Sequence, residues 1–155
     1  MVSLNGLKIK YEEGKIWKWR ENKSKPSEWR EIKVSVRNNG YRHVGINKKF
    51  YSYHRIVYFI HNPDWDIHNS SMDNMIDHID RNPLNNNIDN LRVVTASQNQ
   101  WNRDCKGYYF LKARGKYQAE IKVRNKKIYI GKFDTEDEAH QAYLNAKAKY
   151  HIIEC

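Results

Sequence analysis

Cysteine is scarce in this chain, acidic residues are outnumbered, and long apolar runs are missing. Only two cysteines occur in 155 residues, Cys105 and Cys155. They lie far apart with no Cys-x-x-Cys pattern, which argues against a structural zinc site and leaves reduced thiols in a cytoplasmic setting as the expectation. No apolar run approaches the ~18 residues of a membrane span. The first residues, Met-Val-Ser-Leu-Asn-Gly, carry no secretory pattern, so the protein is expected to be cytoplasmic rather than secreted. The apolar fraction is low at 39%, and small domains bury less of their surface than large ones. Tyr, Trp and Phe, at 13%, partly compensate, because each is a large core former that also stacks on ligands.

The shortage of acids leaves a net charge of +10 and a pI near 9.5, which fits a polyanionic partner. The charge is unevenly spread. Residues 1–60 carry +9, residues 61–103 carry −3 and residues 104–155 carry +4. An acidic segment between two basic ones suits a metal site flanked by phosphate-gripping arms. The length accommodates one ordinary domain or two small ones.

The acidic segment holds the densest chemistry. Met75-Ile76-Asp77-His78-Ile79 is a short apolar run carrying two polar residues, and reads as a strand ending in function. Arg81 to Asn90 is rich in Asn, Asp and Pro, the residues of turns. Leu91-Arg92-Val93-Val94 reads as a second short strand. Thr95 and Gln98 then fit a capping box opening a helix from about Ala96 to Arg103. Asp77 and Asn99 are hard oxygen donors that, in a packed strand–helix unit, can face each other across one Mg²⁺ or Mn²⁺. His78 points to another side of the strand and suits a general base, with an ordinary pKa of about 6.5. Asn90 can accept the other imidazole N–H or brace the loop.

Asp77-His78, Asn90 and Asn99, with the Asn-Leu-Arg turn between them, resemble the HNH endonucleases of the ββα-metal fold, especially their phage and intron-homing branch. The resemblance implies that His78 is the general base, that Asp77 and Asn99 hold the metal, and that Asn90 orients the histidine. Here the third signature position is Asn99 rather than His, as in the homing branch. Tyr-x-x-His-Arg, at Tyr51 to Arg55, extends the resemblance to roughly residues 30–103. It brings His54 and Arg55 into consideration, Arg55 as a phosphate contact because guanidinium grips phosphate through two donors.

Ahead of this segment, Lys33 to Arg37 and Tyr41 to Ile46 flank Asn38-Asn39-Gly40, a strong hairpin signal. A second turn at Asn47-Lys48-Lys49 leads to Phe50–Tyr53. The expected product is a basic β-meander with Arg37, Arg42, Lys48 and Lys49 near its turns, and Trp17, Trp19 and Trp29 packed into its apolar side. His54 to His61 reads as a helix presenting Ile56, Phe59 and Ile60, ended by Asn62-Pro63.

The C-terminal third reads as βββα. A strand from Tyr108 turns at Arg114-Gly115-Lys116, Tyr117 to Arg124 alternates cleanly, and Ile128 to Phe133 forms the third strand. Thr135 to Glu138 caps a helix running to about Tyr150, with Ala139, Ala142, Tyr143, Ala146 and Tyr150 as its apolar stripe. One packing helix leaves the opposite sheet face open, with Glu120, Lys122, Arg124 and Tyr129 on it. Gly115 to Ile121, Ile130-Gly131-Lys132-Phe133 and Glu138 to Tyr143 look like the AP2 DNA-binding domain, which lays its sheet in the major groove. Lys112 and Arg114 stand where that family carries a richer arginine set.

The sequence therefore implies an α+β chain: a basic β-meander and helix leading into a ββα-metal HNH unit (residues 1–104), then a small AP2-like domain (residues 105–155). The expected function is a phage or mobile-element homing-type endonuclease. It would hydrolyse a phosphodiester of double-stranded DNA with one Mg²⁺ or Mn²⁺, as a monomer or weak dimer that nicks once per site. The rivals are a non-enzymatic DNA-binding regulator on an inactive HNH scaffold, and an RNA-directed or nonspecific nuclease.

Overall fold

In the computed structural model, alternating residues decide the first sheet. Strands β1 (Val2–Leu4), β2 (Leu7–Glu12), β3 (Lys15–Arg20) and β4 (Glu28–Glu31) pair antiparallel in sequence order. Ile9 and Ile16 are fully buried, so the period of two sends their neighbours Lys10 and Trp17 to the other face. The expectation that Trp17, Trp19 and Trp29 pack into the core fails for this reason: all three are half-buried and lie outside the core cluster. Trp19 meets Trp29 at 5.4 Å between ring centres, and Lys10 Nζ lies 5.0 Å over Trp29. The structure describes residues 1–38 and 40–153. Asn39 of the expected hairpin turn and Cys155 lie outside the described residues.

A second sheet joins β5 (Val34–Val36), β6 (Arg42–Ile46) and β7 (Lys49–Ser52), also antiparallel, the meander expected from the sequence. Asn47 and Lys48 turn β6 into β7 with positive φ angles of 46° and 67°. Helix α1 (Tyr53–His61) follows directly and buries Tyr53, His54, Ile56 and Val57, a stripe shifted toward its N-terminus from the expected one. Strands β8 (Met75–His78) and β9 (Leu91–Val94) pair antiparallel, and helix α2 (Ala96–Trp101) leaves β9 through the expected capping box: Gln98 N–H donates to Thr95 Oγ1 at 3.2 Å and Thr95 N–H to Gln98 Oε1 at 2.8 Å. Leu4, Ile9, Ile16, Val44, Ile56 and Leu91 belong to one apolar cluster, which carries the hairpin β8–β9 on a shared core.

The chain divides into two compact units, Met1–Asn99 and Gln100–Cys155. The second holds β10 (Tyr108–Leu111), β11 (Lys116–Val123), β12 (Lys126–Phe133) and α3 (Glu136–Tyr150), with the strands in the order 10-11-12, all antiparallel. Ala119, Ile121, Ala139 and Tyr143 form its buried interior. The full capping box at Thr135 and Glu138 starts α3. The architecture is α+β, built from small sheets and few helices.

Candidate active site

The hairpin β8–β9 sets Asp77 and His78 side by side, 7% and 4% exposed. His78 shares its face with the buried Ile76 and is met there by His54 of α1 and Asn86 of the loop, whereas Asp77 on the other face is met by Arg92. The His78 ring is held from that loop: its Nε2 lies 3.2 Å from Asn86 Oδ1. Asn86 is itself buried, and its Nδ2 donates to Leu84 O at 3.0 Å, which identifies Oδ1 as the acceptor facing the ring. In the neutral imidazole, Nε2 then carries the hydrogen and Nδ1 the basic lone pair. His54 from α1 packs against the same ring, edge to face at 5.0 Å between centres, and Tyr41 lies 6.0 Å away. Burial, followed by the charges of His78, Arg55 and His43, pushes the His54 pKa down to about 3, so this second imidazole is neutral beside His78.

Asn90, expected either on the imidazole or bracing the loop, does the second. Its Nδ2 donates to Asp80 Oδ1 and to Asn85 O, each at 2.8 Å, its Oδ1 accepts from Asp80 N–H at 3.0 Å, and its carbonyl accepts from Ile79 N–H at 2.9 Å. The carboxamide on His78 is that of Asn86 instead. Asp80 completes the clamp by accepting from Asn82 N–H at 2.8 Å and Asn85 Nδ2 at 2.7 Å. The Asn85 and Asn82 bonds hold the Asp80 carboxyl below its ordinary pKa. Neither Asn86 nor Asp80 stands out in the sequence, because in a run of three consecutive asparagines no local signal says which side chain turns inward.

Asn99 lies on α2, one turn beyond Thr95, half-buried, with its N–H donating to Thr95 O at 2.9 Å. Asp77 is paired across the hairpin with Arg92, whose Nε and terminal nitrogen lie 3.1 and 3.0 Å from Asp77 Oδ2. Nothing local in the sequence marks Arg92 as a site residue, since its role depends on strand register. Among the described residues no group of three or more His, Cys, Asp or Glu side chains can hold a metal ion. The donors Asp77 and Asn99 therefore do not make an all-protein cage. Their oxygens are of the hard kind that Mg²⁺ or Mn²⁺ takes, commonly one or two carboxylates with phosphate and water supplying the rest.

Arg55, expected at a phosphate, faces the protein. Its guanidinium donates to Asn74 O and Ile67 O at 2.9 Å and to Asn69 O at 3.0 Å, and lies 4.7 Å over the Trp65 ring. Three carbonyls of the irregular segment before β8 converge there and take its donors. Arg55 thus shapes the approach to β8 rather than an external contact.

In the second unit, Glu120 and Lys122 alternate along β11 with the buried Ala119 and Ile121, and Tyr129 of β12 is opposite Glu120. Glu120 accepts from Lys127 Nζ at 2.8 Å. Tyr129 is 59% exposed. Arg124 occupies the tight turn after β11 with φ of 47°, and Lys112 and Arg114 lie in a 3-10 turn after β10, all three exposed.

No curated protein and no solved structure matches the chain. Residues 51–101 match the family model described as an HNH endonuclease. That span contains α1, β8, the asparagine loop, β9 and α2, and with them Asp77, His78, Asn90 and Asn99. The part of this chain from Tyr51 to Trp101 is similar to an HNH endonuclease domain, which supports a nuclease acting on nucleic acid.

Proposed function

We propose that the protein is a DNA endonuclease of the phage or mobile-element homing type, hydrolysing one phosphodiester of duplex DNA per active site. The observation that carries this reading is the buried Asp77–His78 pair, its imidazole gripped by Asn86, inside the segment similar to an HNH endonuclease. His78 Nδ1 takes a proton from water as that water's oxygen forms a bond to phosphorus and the bond to the 3′ oxygen breaks. Asn86 keeps the ring in the tautomer this requires, and Asn90 with Asp80 keeps Asn86 in place by fixing the loop. Asp77 and Asn99 hold a single Mg²⁺ or Mn²⁺. When bound, the cation supplies charge stabilisation at the phosphate and the leaving oxygen.

Duplex binding belongs in this reading to two basic regions. The outer face and turns of the AP2-like second unit present Lys112, Arg114, Lys122 and Arg124 with Glu120 and Tyr129. In the first unit, a groove of about 590 Å³ is lined by Lys18, Arg20, Arg30 and Lys33, and of these only Arg30 has an acidic partner, Glu28, among the described residues. Phosphate contacts of this sort set position and affinity, and only contacts to base edges select sequence. The protein acts as a monomer or weak dimer in the cytoplasm of the host cell.

The test is incubation of the purified chain with supercoiled plasmid in Mg²⁺, Mn²⁺ or EDTA, beside His78→Ala. Metal-dependent open-circle product, lost in the variant while its gel shift on DNA persists, is the expected result. A salt-sensitive gel shift without product on a library of sites would favour the non-enzymatic regulator.

A further inference from the structure

Arg92 is the direct partner of Asp77 in the β8–β9 ladder, so the two side chains rise from the same face of the hairpin. Both Arg92 donors fall on the single oxygen Oδ2, not on the two oxygens as in a fork-to-fork pair. The side chains are only 16% and 8% exposed, so solvent ions screen the pair weakly. Guanidinium does not lose its proton in a protein. A divalent cation that reaches Asp77 therefore meets a fixed positive charge already bound to the same carboxylate. Among the described residues no group of three or more His, Cys, Asp or Glu side chains gathers there to offset that charge. A phosphodiester changes this balance by adding negative charge and oxygen donors on the cation's far side.

We propose that Arg92 holds the Asp77 cation site weak in the bare protein and makes metal uptake conditional on a bound nucleic-acid phosphate. Arg92 is thus a positioning residue that acts through Asp77, and the proposal rests on the reading of Asp77 as a metal ligand. It gives the asymmetric grip on Oδ2 a consequence: free metal and free protein remain largely apart, and substrate brings them together.

The experiment measures Mn²⁺ binding by loss of the free-ion paramagnetic resonance signal. It uses the full chain carrying His78→Ala so that DNA stays intact, with and without duplex, DNA alone being subtracted. With Arg92 present, duplex is expected to tighten Mn²⁺ binding about tenfold or more, within the usual range of coupling between sites. Adding Arg92→Gln is expected to tighten binding to the bare protein by a similar factor, about tenfold, and to shrink the effect of duplex. Bare-protein affinity that is unchanged or weaker in Arg92→Gln overturns the proposal. Circular dichroism checks that this variant folds. Arg92→Lys decides the matter if it does not, because lysine keeps the charge and loses the two-point grip. Weak bare binding and strong duplex dependence retained in Arg92→Lys support the charge mechanism, and a loss of either rejects it. Absence of Mn²⁺ binding in every state, together with absence of cleavage by the unaltered protein, sinks the metal site itself. Mn²⁺ that binds and ignores Arg92 sinks only this inference.

Discussion

His78 owes its proposed tautomer to a side chain eight residues further on. Asn86→Ala removes the acceptor at Nε2 and frees the ring to take the other tautomer. Cleavage should then fall by about 10- to 100-fold, part of the 10²–10⁴ that a positioned base typically supplies. Rate constants on plasmid measure the loss, and ¹⁵N shifts of the imidazole report the tautomer change that mere loop damage would not produce. His54 carries a different prediction. Its folded pKa of about 3 lies below the ordinary 6.5 of an unfolded chain, so the unfolded state binds the proton first. Its contribution to stability is complete above about pH 6.5 and is lost as pH falls toward 3, by on the order of a few kcal/mol. Urea midpoints at pH 7 and pH 4.5 should separate clearly for the natural chain and less for His54→Phe. Equal separation in both would remove His54 as the cause.

At the scale of elements, the turns carry the tightest constraints. Gly107 precedes β10 with φ of 72°, and a Cβ built there would lie 1.9 Å from Cγ of Tyr143 on α3. Gly107→Ala therefore forces both a strained backbone and displacement of a buried ring. The second unit should lose about 2 kcal/mol or more, measured by thermal melting of the full chain. Arg55 does comparable work in the first unit, where its guanidinium donates to three carbonyls of the 67–74 segment, Asn69 O being shared with Asn74 Nδ2. Arg55→Ala removes the guanidinium donors from Ile67 O and Asn74 O, and a destabilisation of about 2 kcal/mol is expected in urea denaturation. Both capping boxes, both three-stranded meanders and the β8–β9 hairpin are legible from local patterns, since turn residues, alternation and caps act over a few residues. The four-stranded order β1–β4 goes beyond such patterns: Asn5-Gly6, with φ of 50° and 77°, turns β1 into β2, but the order of all four strands depends on Ile9 and Ile16 finding a common core.

Over the whole molecule, the charge bias reads as affinity for a polyanion, and salt dependence is its measure. Lys18, Arg20 and Lys33 line the first-unit groove and make no ion pair among the described residues. Replacing all three by Gln should reduce the slope of log affinity against log salt by roughly 2 to 3, at about 0.9 for each duplex phosphate that is no longer neutralised. Fluorescence anisotropy with a labelled duplex in EDTA measures it independently of cleavage. An unchanged slope would show that the groove does not touch phosphate.

What the sequence alone determined is the chemistry that is local to it: the Asp77-His78 strand, the asparagine loop, the capped helix carrying Asn99, and a net charge of +10. These depend on neighbours within a few positions, where side-chain preference and backbone geometry leave little choice. Only the tertiary structure decided which of many equivalent residues turn inward. Asn86 rather than Asn90 meets the imidazole because the loop is clamped by Asp80. Arg92 meets Asp77 because strand register sets them opposite. Arg55 faces inward because a distant segment presents three carbonyls to it, and Trp17, Trp19 and Trp29 lie outside the core cluster because Ile9 and Ile16 claim the core side. Each of these outcomes is a competition between long-range partners, which no window of sequence contains.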